Sequence, residues 1–271
     1  MQNLKLSLIQ TPLYWEDPEK NLEMLSGKIS AIEGPTDLVV LPEMFTTGFS
    51  MNPEKVAETM DGPSIEWMRR IAAEKNCVLA GSLPIAEGGH FFNRFIWMQA
   101  DGRFEQYDKY HLFSFAGENR HYTPGQGKLI VELKGWRIMP LICYDLRFPV
   151  WSRNRHDENK GFDYDVLLYV ANWPESRSHA WRVLLMARAI ENLSYVVGLN
   201  RIGEDGNGIS HSGDSAVVDP GGENLGNFMP HREQVETIVL PRCPLEGFRD
   251  NFRAWADWDK GVNLPARPTR P

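Results

Sequence analysis

Asp37-Leu38-Val39-Val40-Leu41-Pro42-Glu43 is an uninterrupted apolar run that stops at a carboxylate. A strand covered on both faces reads this way, and parallel strands between layers of helix are covered on both faces. Layered α/β folds gather their reactive groups just past the carboxyl ends of such strands, which places Glu43 at the edge of a site. The pattern recurs twice. Trp136 to Cys143 is an apolar strand ending in a thiol, and Asp165 to Asn172 is one ending in an amide.

Outward from these runs, Leu4 to Gln10 alternates as a strand, and Pro18 to Ile32 carries Leu22, Leu25, Ile29 and Ile32 at helical spacing. Ser64 to Asn76 reads as a second helix and Cys77 to Leu83 as a strand. Phe91 to Gln99 and Arg103 to Asp108, joined at Asp101-Gly102, read as a hairpin with Lys109 just beyond it. Lys128 to Leu133 pairs with the strand that ends at Cys143. Ser178 to Asn192 is a helix whose spacing turns Trp181, Leu184, Leu185, Ala189 and Ile190 inward. Tyr195 to Asn200, Asp214 to Asp219 and Glu233 to Leu240 complete the strands. Strand and helix alternate, a hairpin intervenes, and alternation resumes, which predicts an α/β layered fold. No linker divides residues 1–271, so a single domain is expected, with a tail from about residue 244 docking at an interface.

Of 271 residues, 42% are hydrophobic and 24% charged, a composition that excludes general disorder. The net charge of -7 and the lack of a basic stripe argue against nucleic acid as a partner. No apolar segment approaches the roughly 20 residues of a membrane-spanning helix, and no secretion signal is visible. Cys77, Cys143 and Cys243 are too few and too widely spaced for a disulfide framework, so a reducing, cytoplasmic setting is expected. Cys77 reads as core, and Cys243, between Pro241 and Pro244, as inert. The seven histidines form no metal-binding spacing, so no metal and no other cofactor is expected. Gly203 to Gly208 is glycine-rich but lacks the lysine of a phosphate loop, and reads as a mobile loop or hairpin turn.

Glu43, Lys109 and Cys143 supply a carboxylate, an amine and a thiol, the groups that acyl transfer needs. The carboxylate can accept the thiol proton, and the ammonium favours both thiolate and oxyanion. Singly, such residues are ordinarily a solvated acid, a surface lysine and a core cysteine. Their spacing places them on separate elements and does not itself show that they converge.

The flanking letters resolve this point. Leu41-Pro42-Glu43-Met44-Phe45, Asp108-Lys109-Tyr110-His111-Leu112-Phe113 and Leu141-Ile142-Cys143-Tyr144-Asp145-Leu146-Arg147-Phe148-Pro149 resemble the nitrilase (carbon–nitrogen hydrolase) superfamily. Tyr169-Val170-Ala171-Asn172-Trp173-Pro174 and Ala187-Arg188-Ala189-Ile190-Glu191-Asn192 extend the likeness almost end to end, and it is greatest to the bacterial omega-amidases. The resemblance implies a four-layer αββα sandwich, a homodimer or larger homo-oligomer, and catalysis by Glu43, Lys109 and Cys143. Glu118, in Gly117-Glu118-Asn119-Arg120-His121, falls where that family carries a second glutamate; a surface carboxylate is the alternative. The implied reaction is hydrolysis of the terminal amide of a small dicarboxylate monoamide such as 2-oxoglutaramate, through a Cys143 thioester. Other outcomes are an N-carbamoyl amino acid hydrolase, another aliphatic amidase, or a scaffold without activity. Phe45, Tyr144 and Trp173 are candidate pocket walls. Arg147 is a candidate for the substrate carboxylate, or else pairs with an internal acid such as Glu191.

Overall fold

Leu4, Leu6, Leu8, Leu38 and Val40 face one core, while Ile9 and Val39 on the same strands face another, as a period of two requires. In the computed structural model, which describes residues 2–259, these strands lie in a six-stranded sheet. Its order is Gln234–Leu240, Leu4–Gln10, Leu38–Val40, Val78–Glu87, His90–Met98, Phe104–Asp108. A second sheet runs Ala216–Val218, Tyr195–Asn200, Val166–Ala171, Trp136–Ile142, Val131–Leu133. One buried cluster joins Leu6, Val40 and Trp97 of the first sheet to Ile138, Leu168 and Val197 of the second, so the sheets pack face to face.

Helices Pro18–Ser30 and Pro63–Lys75 cover the outside of the six-stranded sheet, with Leu25, Ile29, Ile65 and Met68 against Val39, Leu79 and Ile96. Helix Ser178–Asn192 covers the outside of the other through Trp181, Leu185 and Ala189. It sits so close that a Cβ at Gly198 would lie 2.5 Å from Leu185 and 3.0 Å from Trp181. The layers are therefore helix, sheet, sheet, helix, the αββα order that the resemblance implies.

Three expectations need correction. The strand before Glu43 is only Leu38–Val40, because the chain turns off the sheet beyond it. On helix Ser178–Asn192, Ile190 is exposed and Leu184 half-buried, whereas Arg188 and Asn192 are buried. Arg188 donates to the Leu146 carbonyl (2.7 Å) and to Glu191 (2.9 Å), so a satisfied guanidinium takes an inward place that hydropathy assigned to apolar residues. A helix, Arg242–Asn251, occupies what read as irregular tail; Pro244 and Gly247 hide its signal, though proline is tolerated in a first turn. In the described part of the tail, Trp255 and Trp258 contact Phe162 of their own chain, and Trp255 also meets His156. Residues 260–271 of the expected docking tail lie outside the described residues. Gly203 to Gly208 resolves as a hairpin turn between Ile202–Glu204 and Ser210–Ser212. No helix among the described residues is long and apolar enough to cross a membrane.

Asp165, at the start of its central strand, fastens the C-terminal helix. Its oxygens accept from Arg242 and Arg249 at 2.7 Å each and from the Arg137 N–H at 3.1 Å. Burial alone would raise its carboxyl pKa, but Arg249 and Arg242 outweigh that and hold it below the usual range. Asp165→Asn should cost about 3–5 kcal/mol by leaving the buried Arg249 guanidinium without a carboxylate and Arg242 with Glu246 alone. Urea unfolding checks this, and a loss below about 1 kcal/mol would show that the clamp does not hold the helix.

Candidate active site

Each reactive group stands just past a strand. Lys109 follows Phe104–Asp108, Cys143 follows Trp136–Ile142, and Glu43 lies three residues beyond Leu38–Val40. The Glu43 loop stays tied to the neighbouring strand: the Leu41 N–H donates to the Ala80 carbonyl (2.7 Å) and the Phe45 N–H to the Ser82 carbonyl (3.0 Å). At Lys109, the Gly125 N–H donates to the Lys109 carbonyl at 2.9 Å. A Cβ at Gly125 would come within 2.0 Å of the Asp108 carbonyl oxygen, so only glycine permits this crossing.

The Lys109 ammonium is buried between two carboxylates, 2.8 Å from Glu43 and 3.0 Å from Glu118. The Asn93 amide donates to both acids, at 2.8 Å to Glu43 and 3.3 Å to Glu118. Asn172 holds Glu43 from the second sheet, its N–H reaching a carboxylate oxygen at 2.7 Å and its side-chain amide the Glu43 carbonyl at 2.6 Å. Glu118 also accepts the Phe113 N–H. It is a buried partner of Lys109, not a surface carboxylate.

Cys143 adopts φ +42°, a left-handed conformation for a non-glycine residue, and opens the short 3-10 turn Cys143–Arg147. Such strain, on the order of 1–3 kcal/mol, persists only where the surroundings enforce it. Here Asp145 enforces it, accepting the Ile142 N–H (3.0 Å), the Tyr107 hydroxyl (2.8 Å) and the His111 N–H (3.0 Å). The turn that presents the thiol is thus tied to the segment that presents Lys109.

Burial would lower the Lys109 pKa, but Glu118 and Glu43 outweigh it, so the ammonium keeps its proton well above the ordinary range. Burial raises the Glu118 carboxyl and outweighs the opposing Lys109 ammonium, with the Glu43 charge adding to the rise. Burial and then the Glu43 charge push the Cys143 thiol up, with Lys109 opposing. The carboxylate of Glu43 thus lies beside a thiol whose charged form is disfavoured.

Cys143 and Lys109 open into a cavity of about 230 Å³, whose walls include Phe49, Tyr144, Arg147, Trp173, Arg177 and His211. Tyr144, Arg147 and Trp173 line this cavity together with Cys143. Phe45 does not: it is fully buried, 5.9 Å from the Trp67 ring, in the core beneath the outer helices. Met44, at φ +44°, turns the chain, and Phe49 reaches the cavity instead, 4.9 Å from the Lys109 ammonium. Arg147 lies over the Trp173 ring at 4.8 Å, and Glu191 is taken by Arg188, which removes the Arg147–Glu191 alternative. Asn93, Asn172, Phe49, Arg177 and His211 were not singled out as site residues. Asn93, polar in the middle of an apolar strand, carried a usable signal. Burial, then Arg201 nearby, lowers His211 to about 4, so it faces the cavity as a neutral ring.

The carbon-nitrogen hydrolase family model matches residues 5–249, about nine-tenths of the chain. The chain belongs to the carbon–nitrogen hydrolase family. Omega-amidase YafV of Escherichia coli K12 is 44% identical over 260 residues, covering 96% of this chain and 98% of that protein. The 2-oxoglutaramate amidase of Bacillus subtilis is 32% identical over 224 residues, covering 81% and 84%. The crystal structure of XC1258 from Xanthomonas campestris, a carbon–nitrogen hydrolase superfamily protein with an arsenic adduct in its active site, superposes with a TM-score of 0.94. It is 43% identical and covers 97% of this chain and 100% of that one.

Within this carbon–nitrogen hydrolase the three thiols differ in surroundings. Burial raises Cys77 to about 11, whereas Cys243 is exposed on its helix, which revises the expectation that it would resist modification. Iodoacetamide should abolish activity in step with Cys143 alkylation, label Cys243 without effect, and spare Cys77. Peptide mapping by mass spectrometry reads all three. Activity lost while Cys143 remains unmodified would contradict the assignment.

Proposed function

We propose that this chain is a single-domain amidohydrolase of the omega-amidase type, acting on a small dicarboxylate monoamide such as 2-oxoglutaramate. The observation that carries the reading is the buried Glu43–Lys109–Glu118 chain of 2.8 and 3.0 Å contacts opening with Cys143 into one cavity. The names of the E. coli and B. subtilis relatives support the substrate class.

In this reaction Glu43 takes the thiol proton as sulfur attacks the amide carbon. The Lys109 ammonium and the Tyr144 N–H face the oxyanion, contacts whose loss typically costs about 100- to 1,000-fold in turnover. The nitrogen collects the proton from Glu43 and departs as ammonia, leaving a thioester on Cys143. Water then gives its proton to Glu43 and attacks the thioester carbon, releasing the acid and restoring the thiol. Glu118 and Asn93 keep Lys109 and Glu43 in register throughout. Arg147 offers a cation for the substrate carboxylate.

The assembly belongs to the same proposal. Val183, Met186 and Ile190 are each close to half exposed and share one face of helix Ser178–Asn192, an apolar stripe that a second copy would cover in a homodimer. Three cysteines without a disulfide suit a cytoplasmic setting.

Ammonia release from 2-oxoglutaramate tests the reading. The wild-type protein should release it, and folded Cys143→Ala should not. Carbon dioxide appearing with ammonia from N-carbamoyl amino acids, but no turnover of 2-oxoglutaramate, would replace the reading with a carbamoyl hydrolase. A folded wild-type protein inactive on a panel of amides and nitriles would remove the enzymatic reading.

A further inference from the structure

Two arginines line the cavity, and neither has a carboxylate of its own. Arg182 pairs with Asp214 and Arg188 with Glu191, but among the described residues no ion pair takes Arg147 or Arg177. The acids close to this wall, Asp205 of the cavity lining included, hold other partners. Asp205 accepts the Asn207 and Ile209 N–H groups at 2.8 and 3.0 Å, and Glu175 binds Ser210 and His231 at 2.7 and 3.0 Å. Half-buried cations in a largely aromatic cavity, with no carboxylate in ion-pair contact, leave a place for an anion from the ligand.

Arg177 is the better prepared of the two. Its carbonyl is fixed by the Trp173 indole N–H at 2.9 Å, and its own N–H donates to the Pro174 carbonyl at 3.0 Å. Its guanidinium lies over two rings, 5.3 Å from Phe113 and 5.2 Å from Phe115. The Phe113 N–H in turn donates to Glu118, the partner of Lys109. The cation is therefore positioned by the same loop that completes the reactive cluster, while its edge remains open for paired hydrogen bonds.

We infer that Arg177 is a specificity-determining residue of this site, binding the free carboxylate of the substrate alongside Arg147 and so selecting amides with an anionic far end. The inference rests on the amidase reading for its substrate but concerns a residue outside the Glu43–Lys109–Cys143 chemistry. A point charge on a flexible stem would serve less well than a planar fork, so lysine should replace Arg177 only in part.

The test compares wild type, Arg177→Gln and Arg177→Lys on 2-oxoglutaramate and on pentanamide, a neutral amide of equal chain length. The ratio of kcat/KM for the acidic to the neutral amide should fall at least about 30-fold in Arg177→Gln, the range for losing a charged hydrogen bond. Most of that loss should appear in KM, and Arg177→Lys should recover part of it. Glutarate should also protect Cys143 from iodoacetamide in wild type and fail to do so in Arg177→Gln. An unchanged ratio together with undiminished protection would overturn the inference. If the wild-type protein hydrolyses neither amide, the amidase reading falls, and the protection experiment still decides the role of Arg177.

Discussion

A lysine ammonium out of contact with water, held between two carboxylates, is the constraint around which the rest of this structure is arranged. Lys109 is stable there only while Glu43 and Glu118 stay within hydrogen-bonding distance, since a buried charge without partners costs several kcal/mol. Two carboxylates beside one cation would repel each other, and Asn93 reduces that cost by donating to both. The cluster is thus stable as a unit. In the proposed reaction the same unit supplies a base beside the thiol and a positive charge beside the position where an oxyanion forms. Stability and chemistry make the same demand on these side chains.

The two-sheet sandwich is what meets this demand. Glu43 comes from the loop of one sheet, Cys143 and Asn172 follow adjacent parallel strands of the other, and Asn172 bonds Glu43 across the gap. Face-to-face packing of Leu6, Val40 and Trp97 against Ile138, Leu168 and Val197 holds those strand ends at fixed separation. Asp145 and Gly125 then set the fine geometry, one by tying the Cys143 turn to the Lys109 segment and the other by allowing the chain to pass against Asp108. Cys143 keeps its left-handed backbone because these neighbours leave it no alternative.

Much of this was legible in the letters. Apolar runs that end in Glu43, Cys143 and Asn172 announced central strands delivering polar groups, because no other use of such a run tolerates the abrupt change. Convergence was not legible from spacing, since it depends on sheets that pair residues far apart in the chain; the resemblance to a family supplied it, and supplied Glu118. Phe45 was misplaced because a left-handed residue at Met44 redirects the loop, which hydropathy cannot register, and Phe49 takes the cavity wall. Arg188 broke the helix periodicity because a buried guanidinium with satisfied hydrogen bonds can occupy an apolar position. Arg177 gave no signal, since a cation that faces a ligand has the same letter as one that faces water.

The account stands on sulfur displacing nitrogen at one carbonyl carbon within this cluster. Intact-protein mass spectrometry of the wild-type protein, acid-quenched during turnover of 2-oxoglutaramate, tests it most directly, because quenching traps the thioester before water releases the acid. The account predicts an added mass equal to the acyl half of the substrate, located on the peptide that contains Cys143 and removed by hydroxylamine. Steady ammonia release with Cys143 never acylated would contradict it.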